Sequence, residues 1–287
     1  MQVKDIIALF KVRLSLTVVF SSMMTYFIAI LIKDLAFDLS CFLSLSIGGA
    51  LITFAANAFN QILEKEQDGI MKRTQNRPLV QNKLSLTEAF FIATITGIIG
   101  FITLYFGTFP IVGVFGLASL ILYAFVYTPS KRFTSFCVFI GAIPGALPPL
   151  IGYMAGTGEI DSIGIYLFVF QFIWQFPHFW AIAWMLDEDY KKVEYKMLPS
   201  KTGKSKISAL IILIYTIFTV IIGAVPYTAH IMNIWGLIVV TIAGVYFVYM
   251  SFLLLQKMND TQAKKLMFAS LIYMPIVYLM ILFSNLL

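Results

Sequence analysis

Five polar side chains in one stretch of this 287-residue chain are spaced as a helix would space them. Thr53, Asn57, Asn60, Glu64 and Asp68 recur at intervals of four, three, four and four, so a helix carries them on one face. Asn60, Glu64 and Asp68 span an arc of about 80° over some 12 Å of rise. Two carboxylates and an amide in line are oxygen donors suited to Mg²⁺, which takes one or two carboxylates together with substrate phosphate oxygens. Arg73 and Arg77 follow, then Pro78. Guanidinium groups match phosphate oxygens in bidentate fashion, so a cation site with arginines behind it is what a diphosphate needs. A second acidic group, Asp187-Glu188-Asp189, precedes Tyr190-Lys191-Lys192 and offers a second Mg²⁺ site or a share in the first. Plainer roles stand beside these: a solvated mixed-charge loop for Lys65, Glu66 and Lys72, interhelical hydrogen bonding for Asn57 and Asn60, and carboxylates reaching for water at a helix end.

The elements that must position these groups are set by composition. Hydrophobic residues make up 60% of the chain and charged residues 12%, about half the share usual in a soluble domain, so a bilayer is the solvent for most of it. Nine apolar runs are long enough to span, at 14–32, 39–61, 87–107, 111–128, 134–155, 163–186, 207–226, 233–254 and 266–286. The expectation is an all-α integral membrane protein, one polytopic domain over 1–287, with nine helices around a central cavity. Of 20 Lys and Arg, all but Lys33 lie in the N-terminal tail or in the gaps after the second, fourth, sixth and eighth runs. That bias puts the N-terminus in the cytoplasm and the C-terminus outside. The acidic groups end the second and sixth runs, so both lie on the cytoplasmic side. Two long charged loops four spans apart hint at two similar halves plus a ninth helix. The net charge of +6 serves topology and anionic lipid, not nucleic acid. Cys41 and Cys137 fall near opposite ends of their spans, which rules out a disulfide.

Inside the sixth span Gln171, Gln175 and His178 share a face, and Pro177 should kink the helix. His178 lies roughly 13 Å below the inner surface, where an ionisable residue is a functional candidate. The fifth span carries Gly141, Pro144, Gly145, Pro148, Pro149, Gly152 and Gly156. So many breakers at membrane depth imply a backbone lining a cavity or buried in protein. A pocket between the second, fifth and sixth spans, open to the cytoplasm, follows. His230 lies in an outer loop and has no assigned role.

Three segments, Asn60–Pro78, Tyr127–Tyr153 and Trp174–Pro199, together resemble the UbiA superfamily of intramembrane aromatic prenyltransferases. Trp174-Gln175-Phe176-Pro177-His178-Phe179, with Asp189-Tyr190 and Met197-Leu198-Pro199, is similar to the branch that farnesylates protohaem IX. The resemblance implies a farnesyl diphosphate donor, a haem B acceptor, a Mg²⁺-dependent transfer giving haem O, a bacterial inner (plasma) membrane location, and a haem A synthase acting downstream. It implies metal and catalytic roles for Asn60, Glu64, Asp68 and Asp189, diphosphate binding by Arg73, Arg77, Lys131 and Arg132, and haem binding by His178, as iron ligand or as porphyrin-orienting group. The chain departs from the family pattern at Glu66, at Val193-Glu194 and at Phe136-Cys137, which leaves Asp187 and Glu194 as rival members of the second acidic set. Alternatives at this stage are a prenyltransferase of a quinone or phenolic precursor, a secondary transporter and a membrane assembly factor.

Overall fold

The structure, a computed structural model, describes residues 2–200 and 202–286; Lys201, one of the basic loop residues, lies outside them. Nine long helices are present among the described residues, and no strand: α1 Val12–Ile32, α2 Leu39–Leu63, α3 Leu86–Gly107, α4 Pro110–Ser130, α5 Cys137–Thr157, α6 Ser162–Met185, α7 Lys206–Thr228, α8 Ile234–Lys257 and α9 Asp260–Ser284. Several of their starts carry side-chain caps. Asp38 accepts from Ser40 and Cys41 N–H, Ser85 forms a capping box with Glu88, and Asn233 and Asn259 cap α8 and α9. The Asn259 cap explains why α9 begins at Asp260, six residues ahead of the apolar run: a polar first turn is helical all the same.

Consecutive helices pack side by side in a ring that closes where α9 meets α1; α5 also packs on α1, and α6 on α9. Two buried clusters result. One centres on α1–α5 and contains Leu45, Ile52, Leu104 and Met154; the other centres on α5–α9 and contains Phe170, Trp180, Phe247 and Tyr273. The outer surface is apolar, with Phe106 77% and Trp235 73% exposed, which suits lipid and not water. Cys41 and Cys137 are both free and buried, each at its own helix.

Lys33, the exception to the charge bias, is neutralised where it stands. Its ammonium lies 2.7 Å from Asp161 and 3.6 Å from Glu159. Asp161 also accepts from the Tyr153 hydroxyl at 2.7 Å and caps α6 through Ile163 and Gly164 N–H. One carboxylate thus ties the end of α1 to α5 and to the start of α6.

The proline-rich α5 and Pro177 in α6 do not break their helices, and α5 is buried and lines a cavity, as its breakers implied. Proline at position i frees the carbonyl at i−4. Pro148 frees Pro144 O, which accepts from Ser119 Oγ of α4 at 3.2 Å. Pro177 frees Ile173 O, which accepts from Thr219 Oγ1 of α7 at 3.5 Å. Hydroxyls on neighbouring helices therefore replace the missing donors.

Helix association within lipid rests on close approach of small residues. A Cβ at Gly152 of α5 would stand 2.0 Å from Ser22 O of α1, backbone that cannot move aside. Gly152→Val is expected to destabilise the bundle by about 1–3 kcal/mol or more. Thermal unfolding in detergent checks this, and an unchanged midpoint would contradict the packing.

Candidate active site

The predicted stripe of α2 is real but bent. Glu64 adopts φ −103°, ψ 11° and ends α2 at Leu63, and a short helix, Lys65–Ile70, carries Asp68 onward. Helical bonding still bridges the hinge, since Asp68 N–H donates to Glu64 O at 2.8 Å. Asn60, Glu64 and Asp68 therefore stay together and are almost fully buried. Asn57 and Asn60 also hydrogen-bond between elements, Asn57 to Ser15 Oγ (2.9 Å) and Asn60 to Thr128 Oγ1 (3.1 Å). Lys65, Glu66 and Lys72 belong to the outer rim of the loop, with Lys65 reaching Asn82 at 3.3 Å.

Each acidic or amide group is met by a cation from a different part of the chain. Lys131 Nζ donates to Glu64 Oε1 at 2.8 Å, Arg77 Nη1 donates to Asp68 Oδ2, and Lys11 Nζ donates to Asn60 Oδ1 at 2.7 Å. Tyr195 OH donates to the same Glu64 oxygen at 3.1 Å, and Asn60 Nδ2 donates to the other at 2.9 Å. Lys131 also stands over the Tyr127 ring, 4.6 Å from its centre. Lys11 and Tyr195 carried no signal in the sequence beyond a lone lysine ahead of the first span and a tyrosine beside Met197-Leu198-Pro199. Lys11 is aimed by backbone: it adopts a left-handed φ of 46° between the helix Val3–Leu9 and α1. Gln61 of α2 holds the preceding turn through Ala8 O and Leu9 O at 2.9 and 2.8 Å.

The electrostatics follow from burial against pairing. Burial opposes ionisation of Glu64, but Lys131 beside it, with Lys11 and the Asn60 amide, holds its carboxyl below the usual range. At Asp68 burial prevails over Arg77, and the carboxyl sits above the usual range. Burial, with Arg77 and Lys131 nearby, lowers Lys11 well below an ordinary lysine.

Asp68 Oδ1 is buried with no hydrogen-bond partner, which is an acceptor waiting for a cation. Among the described residues no three carboxylate, histidine or cysteine side chains gather closely enough to hold a metal unaided. Both observations fit Mg²⁺, which completes its shell with water and phosphate oxygens rather than a protein cage.

The second acidic group sits beside the first without merging with it. Leu186 repeats the hinge of Glu64 (φ −103°, ψ 9°) and starts a short helix, Asp187–Lys192. Asp189 accepts from Arg73 N–H at 3.2 Å and from Lys192 Nζ at 2.9 Å. Lys192, with Arg73 N–H, keeps its carboxyl below the usual range against a small burial penalty. Asp187 pairs with Lys191 at 2.7 Å, and Glu194 is exposed. Of the four basic candidates, Arg77 and Lys131 enter the acidic cluster. Arg73 contributes its backbone to Asp189, and Arg132 braces the hinge through Gln67 Oε1 at 2.6 Å.

Beneath the cluster lies a chamber of about 310 Å³. The pocket expected between α2, α5 and α6 is there, with α1, α4 and α9 completing its wall. Part of α4, Leu122–Tyr127, is a π-helix, and this wider turn carries Tyr123 and Tyr127, both of which line the chamber. On the far wall stand Gln171, Gln175 and His178, as their shared face predicted. Gln175 donates to Ala142 O of α5 at 3.0 Å, and Gln171 accepts from Tyr278 at 3.1 Å. His178 stacks on Trp174 (4.8 Å, 15°) and meets Ser270 Oγ through Nδ1 at 2.8 Å. The Ser270 hydroxyl donates to Met267 O at 2.6 Å, so it accepts from Nδ1–H, and the neutral ring keeps the Nε2 lone pair available.

Removing the Lys131 ammonium leaves burial to dominate Glu64. In the wild type the depressed Glu64 value means that ionisation stabilises the fold above about pH 4.3, a gain lost only as pH falls through the folded value. In Lys131→Met the carboxyl is raised, and ionising it as pH climbs opposes the fold. Between about pH 4 and 8 the melting temperature of the variant is expected to fall relative to that of the wild type, the raised Asp68 and lowered Lys11 being present in both. Parallel profiles would refute the pairing.

Comparison with known proteins matches this arrangement to one family. The model of the UbiA prenyltransferase family matches residues 21–272. A protoheme IX farnesyltransferase of Cytophaga hutchinsonii is 42% identical over 267 residues, covering 93% of this chain and 92% of that protein. The mitochondrial protoheme IX farnesyltransferase of Homo sapiens is 33% identical over 246 residues, covering 86% of this chain and 55% of that one. Among solved structures, one from work on a digeranylgeranylglyceryl phosphate synthase superposes with TM-score 0.78 at 25% identity, covering 98% of each chain. A UbiA homolog from Archaeoglobus fulgidus bound to GPP and Mg²⁺ shares the fold, with TM-score 0.69 at 17% identity, covering 96% of this chain and 99% of that one. With the family model covering most of its length and a near-full-length relative at 42% identity, this chain belongs to the UbiA prenyltransferase family.

Proposed function

We infer that this protein transfers the farnesyl group of farnesyl diphosphate to a vinyl group of haem B, giving haem O. One observation carries the reading: a single chamber joins the wall below Asn60 and Glu64 to the wall that bears His178. The donor's charged head belongs at the first wall and the porphyrin at the second. The similarity to protoheme IX farnesyltransferases over nearly the whole chain supports haem over a quinone or phenolic acceptor.

Glu64 and Asp68, with Asn60 and the adjoining Asp189, would hold Mg²⁺. Bound there, the metal supplies Lewis-acid neutralisation of the diphosphate. The chain's own cations do the rest of the electrostatic work. Lys131 and Arg77 rest on the acidic oxygens and Lys11 on the Asn60 amide oxygen, all within a side chain's swing of any diphosphate seated there. Arg73 and Arg132 stand at the rim. Together these charges stabilise the diphosphate as the allylic C–O bond ionises. The farnesyl cation then meets aromatic faces, Tyr123 and Tyr127 among them, in a mostly apolar chamber. The vinyl carbon attacks C1 of the cation. Water adds to the resulting benzylic-type cation on the porphyrin side and loses a proton, leaving a hydroxyethylfarnesyl group. His178, with Nδ1 committed to Ser270, offers Nε2 to the haem iron or to a porphyrin substituent. On this reading the mouth of the site faces the cytoplasm of a bacterial inner membrane, the side that the basic loops around it support, and a haem A synthase would consume the product.

Purified protein incubated with haem B, farnesyl diphosphate and Mg²⁺ is expected to yield haem O by mass. Asp68→Ala is expected to lower kcat/KM at least about 100-fold; near-normal turnover would remove the acidic cluster from the reaction. His178→Ala is expected to weaken haem binding, read by absorbance titration, and to leave diphosphate affinity intact. Equal loss of both would give His178 a merely structural role.

A further inference from the structure

The donor wall of the chamber runs down α2 as a line of small residues. Gly49, Thr53 and Ala56 line the chamber on nearly the same bearing as Asn60. Thr53 has its hydroxyl bonded to Gly49 O at 2.8 Å. Facing it on α1, Thr17 and Ser21 direct theirs to Leu14 O and Val18 O, both at 2.7 Å. Hydroxyls spent on their own helix leave an arm that behaves as apolar surface. At its far end Leu104 of α3 closes the way. It is wedged between two glycines: a Cβ at Gly48 would lie 2.8 Å from Leu104 Cγ, and one at Gly116 of α4 would lie 2.7 Å from its Cδ1. Gly49 differs from both of these neighbours. A Cβ there would meet nothing within 4 Å, because the position opens on the chamber.

Length settles what such an arm accommodates. Eleven residues separate Gly49 from Asn60, a rise of about 16 Å along α2. A farnesyl main chain of twelve carbons advances a little over an ångström per bond, about 13 Å over its eleven bonds, and the bond to the diphosphate oxygen takes up part of the remainder. We propose that Gly49 and Leu104 form the floor of the prenyl arm and set the isoprenoid length this enzyme accepts. The inference rests on the transfer reaction inferred above. A side chain at Gly49 would occupy the space of the terminal isoprene unit, and trimming Leu104 would lengthen the arm by about one such unit.

The test measures haem prenylation by wild type, Gly49→Phe and Leu104→Ala with geranyl, farnesyl and geranylgeranyl diphosphates, each with Mg²⁺ and haem B. Absorbance titration of haem reports folding in every variant. Gly49→Phe is expected to lose about 100-fold in kcat/KM with farnesyl diphosphate relative to geranyl diphosphate. Leu104→Ala is expected to gain on geranylgeranyl diphosphate relative to farnesyl diphosphate. Because each readout is a ratio of donors within one protein, a general loss of stability does not imitate it. If wild type makes haem O and Gly49→Phe keeps the wild-type ranking of donors, or loses all three equally, the floor is overturned and the reaction stands. If wild type transfers no prenyl group to haem, the reaction itself fails and takes the floor with it.

Discussion

Everything in this molecule is arranged around two carboxylates that have almost no water. Glu64 and Asp68 lie at the end of a membrane helix with side chains nearly inaccessible. Isolated, each would cost several kcal/mol to bury and would take up a proton. The chain answers with cations drawn from the N-terminal segment, the loop after α2 and the loop after α4. Each partner comes from a separate element, so the acidic pair and Asn60, which takes Lys11, together fix three connections of the bundle at once. Apolar residues of similar size would be no less stable at these positions. Their presence therefore argues for chemistry. Asp68 makes the point most directly, since one of its oxygens remains unpaired even with Arg77 in place.

The same scarcity of water governs the backbone. Prolines in α5 and α6 release carbonyls that lipid cannot satisfy, and Ser119 and Thr219 on adjacent helices satisfy them. These contacts cost the helices nothing in continuity, and they keep α5 small and close-packed beside the chamber. A run of breakers in a soluble protein would mark a loop. Within a bilayer it marks a helix whose neighbours have been chosen to complete it.

How much of this could be read from the chain alone depends on the range of the interaction. Apolar runs, the helical spacing of polar residues and the asymmetry of Lys and Arg are local, and they delivered the nine helices and the acidic stripe. The hinge at Glu64 was hidden because a helical face continues across it, with Asp68 still bonded to Glu64 O. Lys11 was hidden because its role comes from a left-handed turn pinned by Gln61, fifty residues away in sequence. Tyr195 reaches Glu64 across 131 positions. The π-helical turn of α4 has no hydrophobic period to betray it. Asp189 was assigned to the metal by its type and motif, and its direct partners turn out to be Arg73 N–H and Lys192. The transporter reading lost its footing when the family became clear.

The two ends of α2 and α6 repair an older hint of internal repetition. Both helices stop at a residue with φ −103° and ψ near 10°, and both hand over to a six-residue helix bearing acidic side chains. The likeness is one of backbone, since the residues at the two hinges, Glu64 and Leu186, differ in kind. That difference divides the labour. In the first half the hinge itself is a carboxylate, drawn inward and met by Lys131, where the proposed reaction would seat a cation and a diphosphate. In the second half the hinge is apolar and Asp187 and Asp189 beyond it pair with Lys191 and Lys192, which leaves the interior of α6 to Gln171, Gln175 and His178. On the proposed reaction one half would thereby take the charged head and the other the flat macrocycle, and the chamber between them would be the place where an electrophile released on one side finds a vinyl group on the other.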